Sequence, residues 1–233
     1  MASRPAYHPR KGSAGDAEVI FDILKGDVVA IVGAGGKTSL MKYLAERITT
    51  AGMKPLISTT TRLGKHQIND EYDYLVQIKD NKALAPDMGE LKDKMTSYDI
   101  TLLEADGAAC KQLKGWREDE PVIPDFATVT IGVVDISMVG QTATEENIHR
   151  HELFTALTGV QMGERVTVQA IARLVNHKNG IFRHSAHTAN HLFCAKAETP
   201  EQMANATRLK PMLREGMRLY SGSARKGSVL ELR

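Results

Sequence analysis

Val28-Val29-Ala30-Ile31-Val32-Gly33-Ala34-Gly35-Gly36-Lys37-Thr38-Ser39-Leu40 is the stretch that decides the fold. Five apolar residues run into a glycine-rich turn, and Lys-Thr then opens an amphipathic helical pattern. A strand, a tight loop and a helix in that order form the setting in which backbone N–H groups and a helix dipole bind phosphate. In such a loop Lys37 reaches the β- and γ-phosphates and the Thr38 hydroxyl helps to hold Mg²⁺. The spacing is Gly-x-x-Gly-Lys-Thr, shorter than the common Gly-x-x-x-x-Gly-Lys-Ser/Thr, because Ile31 stands where the first glycine would be.

Working outward, 233 residues with 42% hydrophobic and 25% charged side chains are enough for a sizeable α/β core. The stretch 1–15 is rich in Pro, Gly, Ser and basic residues and reads as a disordered tail carrying His8, with one domain over 16–233. The net charge of +2 and the lack of a basic stripe interleaved with aromatics give no reason to expect a nucleic-acid partner. No apolar run approaches a membrane span and no signal-peptide core opens the chain. Cys110 and Cys194 lie far apart and outside metal-ligand spacing, so a reducing, cytoplasmic compartment is expected.

Taken in order, the pattern predicts helices over 17–24, 39–50, 81–95, 145–157, 168–177 and 200–215. Gly52 is placed to stop the second of these, and Thr199 with Pro200 to start the last. Strands are predicted over 28–32, 54–58, 74–78, 100–103, 128–134, 192–194 and 218–220. Alternating strands and helices imply a three-layer α/β fold of the P-loop NTPase-like kind with a mainly parallel central sheet. Ligands of such sheets lie beyond the carboxyl ends of the strands, which brings residues 33–38, 59–62 and 104–107 to one rim.

Candidate site residues follow from that rim. Gly33, Ala34, Gly35, Gly36, Lys37, Thr38 and Ser39 are expected to bind nucleotide phosphates. Glu104 and Asp106 close an apolar strand, where a carboxylate holds Mg²⁺ or orients an attacking water. Lys37, Glu104 and Asp106 are thus the catalytic candidates, and Thr38, Glu104 and Asp106 the metal candidates. Thr60 offers a hydroxyl, and Arg62 a cation for developing charge. Ala195-Lys196-Ala197-Glu198 sits where GTP-binding folds carry Asn-Lys-x-Asp, so Lys196 and Glu198 are candidates to line a base pocket that leaves ATP or GTP open. Ser221-Gly222-Ser223-Ala224 echoes a loop that supports the base from the other side. His149, Arg150 and His151 fall on different faces of a helix, with one of them toward the site. His177, His184, His187 and His191 read as surface or loop residues.

Several of these segments follow one another in a recognisable series. Val-Gly-Ala-Gly-Gly-Lys-Thr-Ser at 32–39, Ser-Thr-Thr-Thr at 58–61 and Leu-Glu-Ala-Asp-Gly-Ala at 103–108 come first. Lys-Gln-Leu-Lys at 111–114, Glu-Pro-Val-Ile-Pro at 120–124 and His149-Arg150 continue it. From about Gly26 onward the chain resembles the YqeC family, accessory proteins of selenium-dependent molybdenum hydroxylases. The resemblance implies a P-loop NTPase of the maturation-factor type, using Mg²⁺ with ATP or GTP and partnered by a molybdenum hydroxylase or a cofactor-assembly protein. Two alternatives stand beside it. The short loop also resembles that of Mur-type ligases, and a non-catalytic nucleotide-binding scaffold needs no turnover.

Overall fold

The computed structural model describes residues 20–64, 68, 70–80 and 82–233. The expected tail over 1–15, with His8, lies outside them. In chain order the elements begin with β1 (Val28–Gly33), α1 (Lys37–Thr50), β2 (Pro55–Thr59), β3 (Arg62–Gly64) and β4 (Asp73–Leu75). Next come β5 (Gln77–Lys79), β6 (Lys82–Leu84), α2 (Met88–Met95), β7 (Ile100–Glu104), β8 (Leu113–Lys114) and β9 (Val129–Asp135). The chain continues through β10 (Ile148–His149), α3 (His151–Thr158), α4 (Val168–Asn176), β11 (Ala189–Ala195), α5 (Pro200–Leu209), β12 (Arg218–Ser223) and β13 (Ser228–Leu232).

Every residue of β1 is buried. A continuous apolar strand needs cover on both faces, which a parallel sheet flanked by helices supplies. The main sheet has the order β13-β12-β11-β9-β1-β7-β2-β4, with β1 parallel to both of its neighbours. Among the described residues only β13 runs antiparallel within it. Alternate β1 residues feed opposite layers. Val29 and Ile31 pack with Leu40, Leu44 and Ile48 of α1, whereas Ala30 and Val32 pack with the layer holding Phe154 of α3, Ile171 of α4 and Leu209 of α5. Helix, sheet and helix make a three-layer α/β fold with a mainly parallel central sheet. The registers Ile31 to Glu104 and Gly33 to Val133 bring the ends of β1, β7 and β9 to the same rim.

Several boundaries differ from expectation, each for a local reason. Residues 17–19 lie outside the described chain, and residues 20–24 are not helical. Phe21 and Asp22 take positive φ angles of 72° and 53°. The strand expected over 74–78 is split at Val76. Leu75 ends a strand paired with β2, and Gln77 starts one in a small antiparallel sheet ordered β3-β6-β5. The helix expected over 81–95 loses its first half, residue 81 being outside the described set. Residues 82–84 are strand, Pro86 disfavours helix just before it, and Asp87 caps α2 by accepting from Gly89 and Glu90. The helix expected over 145–157 starts only at His151. The Asn147 side chain accepts from the Thr144 N–H, and Arg150 sits in the left-handed region. Thr199 and Gln202 form a reciprocal capping box at the start of α5. That helix ends at Leu209 rather than 215, since Pro211 offers no N–H to continue the ladder. None of the described helices is long and apolar enough to cross a membrane.

His191 is a correction of another kind. It is buried in β11 between Phe21 and Tyr220, not on the surface, and its Nδ1 has no hydrogen-bond partner. Burial pushes its pKa down from 6.5 to about 4, with Glu231 opposing weakly. Between those two values the unfolded chain binds a proton that the folded chain does not. Stability present at neutral pH is therefore lost as pH falls from about 6.5 toward 4, by about 3 kcal/mol for this group. Urea unfolding from pH 7 down to pH 4.5 is expected to show a steeper loss for the native chain than for His191→Phe. Equal slopes in the two proteins would sink the assignment.

Candidate functional site

The loop after β1 is shaped by two glycines with positive φ, Gly33 at 96° and Gly35 at 78°. A Cβ on Gly33 would lie 2.2 Å from the Val133 carbonyl oxygen, and one on Gly35 would lie 2.5 Å from Asp135 Cβ. Only glycine fits both the torsions and the space. Gly36 then caps α1, whose first residue is Lys37. Thr38 and Ser39 follow in the first turn, half-buried, with the unpaired N–H groups of a helix start beside them.

Lys37 is buried. Its Nζ donates to the Gly33 carbonyl at 2.9 Å and lies 3.7 Å from Glu104 Oε1. Glu104 ends β7 and is also buried, yet its Oε2 has no hydrogen-bond partner. Burial raises its pKa, Lys37 works against that, and the nearby Asp106 adds to it. The strand end is tied to β2, for the Glu104 carbonyl accepts from the Thr59 hydroxyl at 2.8 Å and from the Thr60 N–H at 3.1 Å. The Thr60 hydroxyl donates to the Val122 carbonyl at 2.6 Å. Arg62 stands exposed at the start of β3.

Asp106 occupies a different place from that expected of a metal ligand. It is fully buried, and donors already engage both of its oxygens. Oδ2 accepts from the Gly33 N–H at 2.9 Å and from Trp116 Nε1 at 2.7 Å, and Oδ1 accepts from Lys114 Nζ. Lys114, itself fully buried, also donates to the Gly107 carbonyl at 2.6 Å and to Glu120 Oε2 at 3.2 Å. Arg150 pairs with Glu120 through both guanidinium nitrogens. Burial drives the Glu120 pKa up, but Arg150 and Lys114 outweigh it and hold the carboxyl below its usual range. His149 is pushed down by burial and then by Arg150 and Lys114. Lys114 and Glu120 belong to the motif series read from the sequence but carry no site role there, and Trp116 is not singled out. They fall in an irregular stretch that gives no periodic signal.

On the other side of the loop stands Asp135, fully buried at the end of β9. Its Oδ2 accepts from Lys196 Nζ at 2.5 Å, and its Oδ1 accepts from the Ser137 N–H and hydroxyl. The signal that marks Glu104, a carboxylate closing an apolar strand, also marks Asp135. Lys196 has a positive φ of 58°, which turns the chain after β11 toward the loop. Glu198 accepts from the Ser223 hydroxyl at 2.7 Å and pairs with Lys226 at 2.5 Å, interactions that hold its pKa below the usual range. The two late stretches singled out on the sequence, 195–198 and 221–224, therefore meet, and the Ala197 N–H also donates to the Gly222 carbonyl.

Residues 33–38, 59–60, 104–106, 135 and 196–198 thus gather at one sheet edge, and the sequence model of the YqeC protein family matches residues 29–152, more than half of the chain. The chain belongs to the YqeC family. The matched span contains the loop, both strand-end carboxylates and the Lys114–Glu120–Arg150 network. A family member, the uncharacterized YqeC protein of Escherichia coli (strain K12), is 28% identical over 183 residues, covering 67% of this chain and 70% of its own. Among solved structures, FtsY from Mycoplasma mycoides superposes with a TM-score of 0.44 and 12% identity, over 90% of this chain and 64% of FtsY. The chain therefore spans less than two thirds of FtsY's length.

In this YqeC-family chain the Asp106 carboxylate offsets the buried Lys114 charge and fixes the amide that opens the loop. Removing one partner of a buried pair costs about 3–5 kcal/mol; here Lys114 would keep Glu120, while the Gly33 N–H and Trp116 Nε1 would lose their acceptor. Asp106→Ala is expected to lower stability on that scale in urea unfolding. A loss below about 1 kcal/mol, the scale of an exposed pair, would remove Asp106 from this role.

Proposed function

We propose that the chain binds a nucleoside triphosphate with Mg²⁺ at the Gly33–Thr38 loop, with Glu104 rather than Asp106 as the carboxylate facing the metal. The observation that carries this reading is the unpartnered Oε2 of buried Glu104 beside Lys37. A buried carboxylate oxygen without a donor costs free energy unless something fills the vacancy. A divalent cation fits it, since Mg²⁺ is commonly bound through one or two carboxylates plus substrate phosphates. Thr38, in the first turn of α1, is the second side chain suited to hold it. When bound, the ion would neutralise charge building up on the phosphates.

The residues present would divide the work as follows. The loop N–H groups and the positive end of α1 bind phosphate oxygens. Lys37 exchanges the Gly33 carbonyl for a phosphate oxygen. Glu104 would hold the ion directly or through a water that it orients. Asp106 positions Gly33 without touching the ligand. Lys196 lies next to the loop through Asp135, and Glu198 with Ser223 forms the wall available to a base. ATP and GTP both remain open to that wall. Slow turnover is expected of the isolated chain, because phosphoryl transfer often depends on a charge supplied by a partner.

Within this reading the chain acts as a maturation factor for a selenium-dependent molybdenum hydroxylase or its cofactor, a role supported by the family resemblance of the motifs. Calorimetry with ATP and GTP in Mg²⁺ is expected to give binding to the native chain and none to Lys37→Ala or Gly35→Val. Silence of the native chain toward both nucleotides would end the proposal. For the maturation role, a hydroxylase made in cells lacking this protein is expected to contain less selenium, and unchanged selenium content would refute it.

A further inference from the structure

A cleft outside the Gly33–Thr38 loop shares Trp116 with the Asp106 network and is otherwise unused in the reading above. It has a volume of about 460 Å³, within the range of small-molecule sites. Trp116, Leu153 and Leu157 supply an apolar wall, and Arg117, Arg183 and Glu118 stand around it. Among the described residues no carboxylate pairs with either guanidinium, and the Glu118 side chain has no cationic partner. Two guanidiniums against one carboxylate leave the cleft one positive charge in excess. Arg117 is exposed and Arg183 half-buried, so both forks are open to a ligand, and an Arg fork matches an oxyanion with two donors. Trp116 is 4% exposed, and its Nε1 is spent on Asp106, so what it adds to the cleft is apolar ring surface.

We infer that this cleft is a second binding site, for a small organic monoanion with an aromatic or aliphatic body: the body packs on Trp116, Leu153 and Leu157, and the oxyanion meets Arg117 and Arg183. The site takes a ligand class distinct from a polyphosphate, since it has no glycine loop and no lysine among the residues that line it. It does not depend on nucleotide binding.

Trp116 is the only tryptophan in the chain, so its fluorescence reports on this cleft without labelling. Anilinonaphthalene sulfonate, an aromatic monoanion, is the probe. Titration into the native chain is expected to quench Trp116 emission saturably with one-to-one stoichiometry. Neutral N-phenylnaphthylamine is expected to bind more weakly by about tenfold or more, the loss that follows removal of a charge-assisted pair. The double variant Arg117→Ala/Arg183→Ala is expected to lose a similar factor for the sulfonate, with its circular dichroism unchanged. Leu157→Glu, which puts a second carboxylate in the cleft, is expected to abolish the signal independently. Absence of saturable quenching in the native chain overturns the inference. So does equal affinity for the neutral probe, or sulfonate affinity unchanged in both variants.

Discussion

The Asp106 carboxylate is the point on which the site hangs. It accepts from Gly33, Trp116 and Lys114, and no water-facing group takes part. In a low-dielectric interior a satisfied network is stiff, and without Asp106 two buried N–H donors lose their acceptor and Lys114 keeps only Glu120. The Gly33–Thr38 loop gains that stiffness at its first residue, Gly33, which like Gly35 takes a left-handed torsion that only glycine adopts freely. Glu120 and Arg150 extend the same network outward, so the loop is held from the side of β8 and β10 as well as by the sheet.

The division of labour between Asp106 and Glu104 comes from burial and donors alone. Two carboxylates two residues apart point to opposite uses. Asp106 has three donors, while Glu104 has one lysine at 3.7 Å and an oxygen with nothing opposite it. The raised pKa of Glu104 and the full engagement of Asp106 are two results of the same packing. Asp135 repeats the pattern on the far side of the loop, where it ties Lys196 to the neighbourhood of Gly35.

Much of this was legible in the sequence where the signal is local. The Gly33–Thr38 loop, the strand ends at Glu104 and Asp135, and the Thr199–Pro200 helix start are written in a few adjacent residues. The sheet's parallel character followed from strands alternating with helices. What stayed hidden depends on partners distant in the chain. Trp116 and Lys114 lie in a stretch without periodicity, and nothing next to them says that both converge on Asp106. The stretch over 145–157 has helical spacing, yet the Asn147 side chain and the left-handed Arg150 delay the helix to His151. The break at Val76 also escapes periodicity, because either half alone reads as strand. His191 looked like a surface histidine because its neighbours Phe21 and Tyr220 come from opposite ends of the described chain.

The position of β1 carries a kinetic consequence. The strand lies at the heart of the sheet, yet its partners are Ile100–Glu104 and Val129–Asp135, and the Gly33–Asp106 bond closes a loop of 73 residues. Contacts of that separation form only after the intervening chain has surrendered its freedom, so such sheets assemble slowly. During synthesis Val28–Gly33 emerges with α1 close behind to cover one face, but well before the strands that pair with it and the helices that cover the other. For that interval the strand's edges are open, the kind of unpaired edge that templates aggregation. The same separation means that no short piece of this chain carries a finished phosphate loop.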